Sequence, residues 1–573
     1  MAEEHLAQPS TLCYNEGVIS RALRWLLPCI LLAGTAVAVP AQAQVHHVNH
    51  AATGANTGAS WTDAFLHPSQ ALAVATDGDQ IWVAQGTYLA SRTNVATESF
   101  LFNSAVELLG GFDGTELAAS QRDPEAHTTT LSGELPTVPT RHVVMVDFGG
   151  TEIAWIDGFT IRGGNTPDSG GGGMHIKRGE IVLSRCTFLD NKARWTGGAV
   201  HVEPATYSLK VRACHFERNS AEELGGAIWI QMGALEITDS EFVENSVLHG
   251  SWSLGGAIWT SSNDLSIQDC RFLRNECVGG AGGAIYSDAI STSSLKNVWF
   301  EGNSAASGGA IHATTPTRIE HCTFLDNRAS YEGGAMFSSG GRTSLSFLQC
   351  YFVGNRTTQP GSRGGALCFE GTNIRLGGGA SIDRCEFVEN TAGTGGAIYF
   401  EFWRLWLTNS VLSGNVADVG SAFFVDVPAS AESLIMNCTI VGNVSRTTSG
   451  AGVLHTNASF PSNQTRVLNS IFWANEGPGG AQTEWDQLNA GGPRVSYCCI
   501  QNHALRAGAA IRSVPPRFRN PASGDFRLLP SSPLIDVGDP LSGRVMPRGH
   551  VRDFEGQSRI IGPYVDIGAD EMR

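Results

Sequence analysis

The feature that most constrains this chain is a repeat that never becomes a helix. An aromatic or aliphatic residue falls at 188, 216, 242, 272, 300, 324, 352, 387, 412, 440 and 472, and an asparagine follows three places later each time, from Asn191 through Asn219 and Asn303 to Asn475. The steps run from 24 to 35 residues and average about 28, a period that marks a solenoid or array. A full unit reads apolar, x, apolar, two residues, Cys or Ser, x, Phe, two residues, Asn, a loop, then Gly-Gly-Ala-apolar. Leu235, Ile237, Ser240, Phe242, Asn245 and Gly255-Gly256-Ala257-Ile258 write it out.

Within each unit the apolar residues alternate with period two in three short runs, too short for helices and separated by turn residues. Three strands per coil follow. Each strand can satisfy its backbone groups only by pairing with its counterpart one coil away, at ~4.8 Å. The expected body is therefore all-β: three parallel sheets around a narrow apolar core. Asparagine tolerates the left-handed conformation and bonds locally, so a column of Asn amides is expected to turn one corner. Gly-Gly gives another corner its backbone freedom. Four residues separate Asn303 from Gly308 and nine separate Asn245 from Gly255, so insertions emerge on one edge.

Composition agrees. The 573 residues exceed one ordinary core, and 68 glycines, about 12% against a usual ~7%, indicate many turns. The formal charge of −16 repels nucleic acid and anionic membranes, which points to neutral or cationic partners. Cys186, Cys214, Cys270, Cys322, Cys350, Cys385 and Cys438 all occupy the slot two residues before Phe or Ile, so they read as small buried hydrophobes. Stacking also brings neighbours within disulfide range, and an oxidising compartment could join some of them.

Four segments are expected. Residues 1–43 hold a secretory leader with an unusual N-terminal extension: Arg21 and Arg24, an apolar run from Trp25 to Val39 broken by Pro28 and Gly34, and small residues at Ala41 and Ala43. The alternative, a membrane anchor, has too short an apolar run. The acidic stretch before Arg21 suggests Val18 as the true start. Cleavage is expected after Ala43, and no later run is apolar enough to insert in a membrane. Residues 44–150 form an N-terminal cap module, with a short helix over Ser69–Thr76 as the plug. Residues 151–515 are the repeats and 516–573 a small C-terminal β domain.

The Gly-Gly-Ala-Ile and Phe-x-x-Asn pairs resemble the repeats of polymorphic outer-membrane proteins and, more broadly, the pectate-lyase-like superfamily, over roughly Gly158 to Asn475. The resemblance implies a right-handed parallel β-helix. It departs at the end, where about fifty residues follow the last unit, too few for a translocating barrel of the kind that ends the outer-membrane proteins. Instead the stretches GDFRLLPSSPLIDVGD, RDFEGQSR and VDIGADE, within Asn520 to Glu571, resemble the choice-of-anchor Q domain. Domains of that type commonly precede a sorting tail. The sequence here stops at Arg573, which favours release or residence in the periplasm or cell envelope.

Catalytic signatures are not found. Pectinolytic members of the superfamily use aspartates with calcium and an arginine base, or paired aspartates near Gly-His-Gly, and neither pattern is written in this chain. Asp123-Pro124-Glu125-Ala126-His127 has the wrong order for the Asp-Pro-His-Glu motif of alginate epimerases and reads as a loop. Asp536, Asp539, Asp553, Glu555, Asp566, Asp570 and Glu571 admit a calcium site or, more simply, turn caps and pairing with Arg552 or Arg559. Gly170 to Gly173 is a corner, since no helix follows it to cradle phosphate. No catalytic residue, metal ligand or cofactor is assigned.

Parity after Gly-Gly-Ala is more informative. The first residue must point inward and the next outward. The outward slot reads His175, His201, Trp229, Trp259, Tyr286, His312, Phe337, Cys368, Tyr399 and Phe424, where a solvated face would carry Lys, Thr or Glu. Either the rings stack as structure or lie beneath the loops, or they expose a strip that binds. On the second reading His201, Trp229, Trp259, Tyr286, His312, Phe337 and Tyr399 contact a neutral glycan or cell-surface protein. The function expected is a non-catalytic adhesive or glycan-contacting surface. The alternatives are a polysaccharide lyase and a purely structural envelope component. A convergent cluster of carboxylates and Lys or Arg on one sheet would favour the lyase.

Overall fold

The computed structural model describes residues 43–573 apart from 205–207, 251, 290–292, 341–343, 372–378, 402–403, 426–432, 448–452, 457–464, 481–482, 484–486, 488–493, 504–509, 542–550 and 573. The expected leader, residues 1–43, lies outside the described residues except for Ala43. Residues Ala43–Arg573 form one unit, a right-handed parallel β-helix with three long sheets of 16, 15 and 13 strands. Sheet 1 takes the apolar-x-apolar run, as in Ala234–Thr238; sheet 2 takes the Phe strand, Glu241–Val243; sheet 3 follows Gly-Gly-Ala, as in Ile258–Thr260. Each strand pairs in parallel with its counterpart one coil on: Leu235 with Leu265, Phe242 with Phe272, Ile258 with Ile285.

Because like pairs with like, each repeat position becomes a column. The phenylalanines from Phe188 to Phe387 stack face to face with centroids 4.7 to 5.1 Å apart, the strand spacing itself. They are fully buried in the single core that runs the length of the solenoid. The cysteine slot lines the same core, and all eleven described cysteines are buried free thiols. Their sulfurs donate to nearby carbonyls, as Cys186 does to Ser184 O at 3.3 Å.

The asparagine column is a continuous ladder. Asn245 donates Nδ2–H to Asn275 Oδ1 at 3.0 Å and to Phe216 O at 2.8 Å, and its backbone N–H also donates to Asn275 Oδ1. Its own Oδ1 accepts the backbone and side-chain N–H groups of Asn219, both at 3.0 Å. The pattern repeats from Asn191 to Asn475, every member fully buried. Gln487 ends it, accepting from Asn475 Nδ2 at 2.9 Å and donating back to Asn475 O at 2.8 Å. The expectation that asparagine itself takes the left-handed turn is corrected. The residue before it does so: Asp190, Arg218, Glu244 and Arg274 have φ of 55°, 51°, 53° and 51°. Turning one residue earlier leaves the amide pointing inward, where it replaces the hydrogen bonds that the corner costs the backbone.

Three strands per coil is also corrected. After most of the ladder asparagines a short strand, such as Ser246–Val247, pairs with its counterpart Glu276–Cys277, and eight segments of two to five residues form a fourth narrow sheet. At the other corner the two glycines have different reasons. Gly255 has φ +70°, whereas a Cβ on Gly256 would lie 2.0 Å from Gly283 O of the next coil. The first needs its backbone freedom and the second its missing side chain.

The sheets run through position 150 without a break. Val45–Val48 pairs with Gln80–Ala84, that strand with Glu107–Phe112, and so on through Ile153–Asp157 into the repeats. The N-terminal helix covers Pro68–Leu72, shorter than expected; His67 Nδ1 caps it by accepting Ser69 N–H, and Ala71 and Leu72 enter the core. Beyond the last coil, Phe518–Asn520 and Asp525–Leu528 form one antiparallel pair. Described residues of the C-terminal segment pack on the outer face of sheet 2, where Leu528, Leu534 and Ile567 cluster with Ile471 and Cys499. Its carboxylates mostly cap turns: Asp566 accepts from Asp536 N and Met572 N, and Asp553 from Gln557 N. Arg559 is buried among them, donating to Ala569 O and Asp566 O with Glu571 3.7 Å away.

Candidate functional site

Sheet 3 strands are mostly three or four residues long, and the pleat sets their faces. In Ile258–Thr260 the first and third residues are buried in the core and Trp259 points outward, half-buried. Strict register lines up the outward slot: His175 faces His201, then Trp229, Trp259, Tyr286, His312, Phe337, Cys368, Tyr399 and Phe424 in turn. The rings are in contact. His201 stacks on Trp229 at 4.4 Å and Trp229 on Trp259 at 5.4 Å; Tyr286 meets His312 at 4.9 Å, and Tyr399 stacks on Phe424 at 5.0 Å. Phe337, Cys368 and Tyr399 form a small apolar cluster of their own, separate from the core.

The column is largely covered. His201, Trp229, His312, Phe337 and Tyr399 are buried, at 6 to 9% exposure, and only Trp259 and Tyr286 among the expected contact residues are half-buried. Part of the cover comes from the residue before each Gly-Gly and before Gly420-Ser421. Thr196, Leu224, Leu254, Ala281 and Ser307 pair coil to coil by single bridges, as do Glu332, Arg363, Thr394 and Val419, and this ridge runs beside the rings. From it Thr196 Oγ1 reaches His201 Nδ1 at 2.7 Å, and the Arg363 guanidinium lies 5.2 Å from the Tyr399 ring centre. The indole N–H groups of Trp229 and Trp259 are buried and meet no acceptor among the described residues.

The two ends of the column differ in charge. At the N-terminal end His142 packs edge-on to His175 at 4.8 Å, and His175 lies 4.9 Å from His201. Burial pushes His142 down to about 4 and His201 down to about 3, and it lowers His175 despite the opposing Glu203 carboxylate. Burial thus disfavours the charged form of all three rings. At the other end Arg363 pairs with Glu370 at 2.5 Å and Glu332 at 3.3 Å, while Tyr399 donates its hydroxyl to Glu401 at 2.8 Å. Burial alone would lower the guanidinium, but Tyr399 and Glu370 hold it above its usual range; burial raises the Tyr399 phenol and the Glu370 carboxyl.

Glu203, Glu370 and Glu401 were not among the residues expected from sequence. Each lies two places after an outward slot, on the same face of its strand, so extending the parity by one step reaches them. Arg363 and Glu332 lie on the ridge, which the repeat unit does not mark. His142 lies before the first full repeat and had no signal.

The repeat that matches a known family model is the Chlamydia polymorphic membrane protein repeat, over residues 384–401. That stretch is one rung: Cys385, Phe387, Asn390, Gly395-Gly396-Ala397 and Tyr399. No curated protein matches the chain. Among solved structures, pectate lyase Pel9A aligns at 11% identity with a TM-score of 0.23, over 92% of this chain and 96% of its own. A rhamnogalacturonan lyase aligns at 9% identity with a TM-score of 0.22, over 83% of this chain and 90% of its own. Among the described residues no helix is long and apolar enough to cross a membrane.

Proposed function

We propose that the chain is an exported, non-catalytic β-helix whose third sheet presents a contact surface for a neutral glycan, and that its C-terminal segment is a choice-of-anchor Q-type module. One observation carries the reading: the Trp259 and Tyr286 rings are half-exposed at adjacent outward slots, with Trp229 stacked behind Trp259 at 5.4 Å. Half-exposed aromatic rings side by side offer a flat apolar face, and a neutral sugar ring supplies the matching apolar face together with hydroxyls that stay in water. The loop edge adds exposed rings: Trp252 is 86% exposed, and Trp195 carries Arg194 over its face at 4.8 Å.

Replacing Trp259 and Tyr286 with Thr keeps β propensity and removes the half-exposed rings. Binding on a glycan array or to cells should fall tenfold or more, about 1.4 kcal/mol, with little change in melting temperature. Trp229 is packed between His201 and Trp259, so its loss tests the integrity of the column. Unchanged binding, or a loss that follows melting temperature alone, would sink the proposal.

The Arg363 cluster with Glu332, Glu370 and Glu401 favours a second reading, a polysaccharide lyase. A lyase base must release its proton, and the partners of Arg363 hold that proton more tightly, which is why the binding reading is preferred. Release of unsaturated oligosaccharides from polyuronate that stops with Arg363→Lys would reverse this order.

A further inference from the structure

We infer that His175, His201 and Glu203, at the N-terminal end of the ring column, bind a zinc-type divalent transition-metal ion. One ring nitrogen from each histidine and one carboxylate oxygen all lie within 4.8 Å of one another. Of these, His175 Nε2 and Glu203 Oε1 are 3.0 Å apart. Zinc takes His nitrogen at about 2.0 to 2.1 Å in tetrahedral geometry, which places neighbouring donor atoms about 3.3 Å apart. The His175–Glu203 pair is thus already at chelating separation, and the widest separation closes by about 1.5 Å. Glu203, whose side chain is 43% exposed, has room to move, and a rotation of the His201 ring within its column takes up the rest.

The chemistry of the donors fits. A metal takes imidazole through a ring nitrogen lone pair, and both rings are set close together in adjacent coils, with centroids 4.9 Å apart. Two nitrogens and one carboxylate suit zinc and its neighbours and do not suit calcium, which prefers six or more oxygens. Ligand histidines are oriented by the partner of their second nitrogen. Thr196 Oγ1, 2.7 Å from His201 Nδ1, is placed to accept its N–H and leave Nε2 as the lone pair. Gly170 closes the back, where a Cβ would lie 2.4 Å from His201 Nδ1. His142 donates Nδ1–H to Gly171 O at 2.8 Å and packs against His175 from the preceding coil. Glu203, with its side chain 43% exposed against 8% for His175, is the donor through which solvent reaches the group. Lys177 is the cation whose charge acts on His175, and it opposes the ion in part. None of this depends on the glycan reading.

The test uses the protein from Gln44 to Arg573, stripped of metal and titrated with Zn2+ by calorimetry, with the visible spectrum of the Co2+ form reporting nitrogen and oxygen ligation. The expected result is an equivalent of Zn2+ bound with Kd of about 1 µM or tighter, not displaced by millimolar Ca2+. His201→Gln and His175→Gln should each weaken it by ~100-fold and Thr196→Val by ~10-fold, whereas His312→Gln, in the same column but remote, should bind as wild type. Glu203→Gln, on an exposed side chain, keeps the test valid if the histidine variants misfold. Absence of saturable Zn2+ binding, or affinity unchanged in Glu203→Gln and His201→Gln, overturns the inference.

Discussion

Replacing Asn245 with Leu tests the ladder where its geometry is complete. Leucine fills similar volume but offers no oxygen to Asn219, whose backbone N–H and Nδ2–H both lose their acceptor, and it sends no donor to Phe216 O. Asn275 Oδ1 keeps the Asn245 backbone N–H and loses only the side-chain donor. Two donors are therefore stranded at a fully buried site, at roughly 1 to 3 kcal/mol each, with a smaller loss at the carbonyl. Added apolar burial returns about 1 to 2 kcal/mol, for a net loss of about 3 kcal/mol. Urea unfolding followed by far-ultraviolet circular dichroism reads the total, and amide hydrogen exchange at Asn219 reads the place. A loss below about 1 kcal/mol, or unchanged Asn219 exchange, would show that the ladder does not carry the energy assigned to its hydrogen bonds.

Acid should weaken the fold through His312, which burial pushes down to about 4 in the native state. Its unfolded value is ~6.5, so the unfolded chain binds the extra proton, and this stability is present above pH 6.5 and lost as pH falls towards 4. Between pH 7 and pH 5 wild type should lose roughly 2 kcal/mol more than His312→Gln; equal pH slopes would refute a neutral buried imidazole. The eleven described cysteines are buried and free, with burial raising Cys270, Cys277, Cys438 and Cys498 to about 12. A thiol reagent should therefore titrate none in the native protein from Gln44 onward and eleven in denaturant; fewer after denaturation would mean stacked cysteines had oxidised.

The solenoid was legible because its repeat positions are chemically expensive to change. Phe242 and Asn245 each touch their own kind in both neighbouring coils, so selection for packing and for amide pairing writes the same letters in every unit. The left-handed residue escaped because it faces solvent and tolerates Asp190, Arg218 or Glu244 equally; its conformation is imposed by the buried Asn that follows. The outward rings were legible by parity, but their cover was not, since the bridging ridge contains residues as different as Thr196, Leu224 and Arg363 and is held by backbone. Gln487 lies where the repeat has ended, so no periodic signal marks it as the last rung.

The ladder's two terminations set how this molecule can change in length. Every interior asparagine receives from the coil before and gives to the coil after, whereas Gly164 N–H at one end and Gln487 at the other close the chain of bonds. A whole coil can thus be duplicated or deleted between them without rewriting either terminus, because any rung presents the same face to any neighbour. A part of a coil cannot, since it would misalign the rungs. Changes in length are consequently confined to integer steps of one coil, each lengthening the rod by ~4.8 Å, while loops on the ridge edge can vary without disturbing any rung.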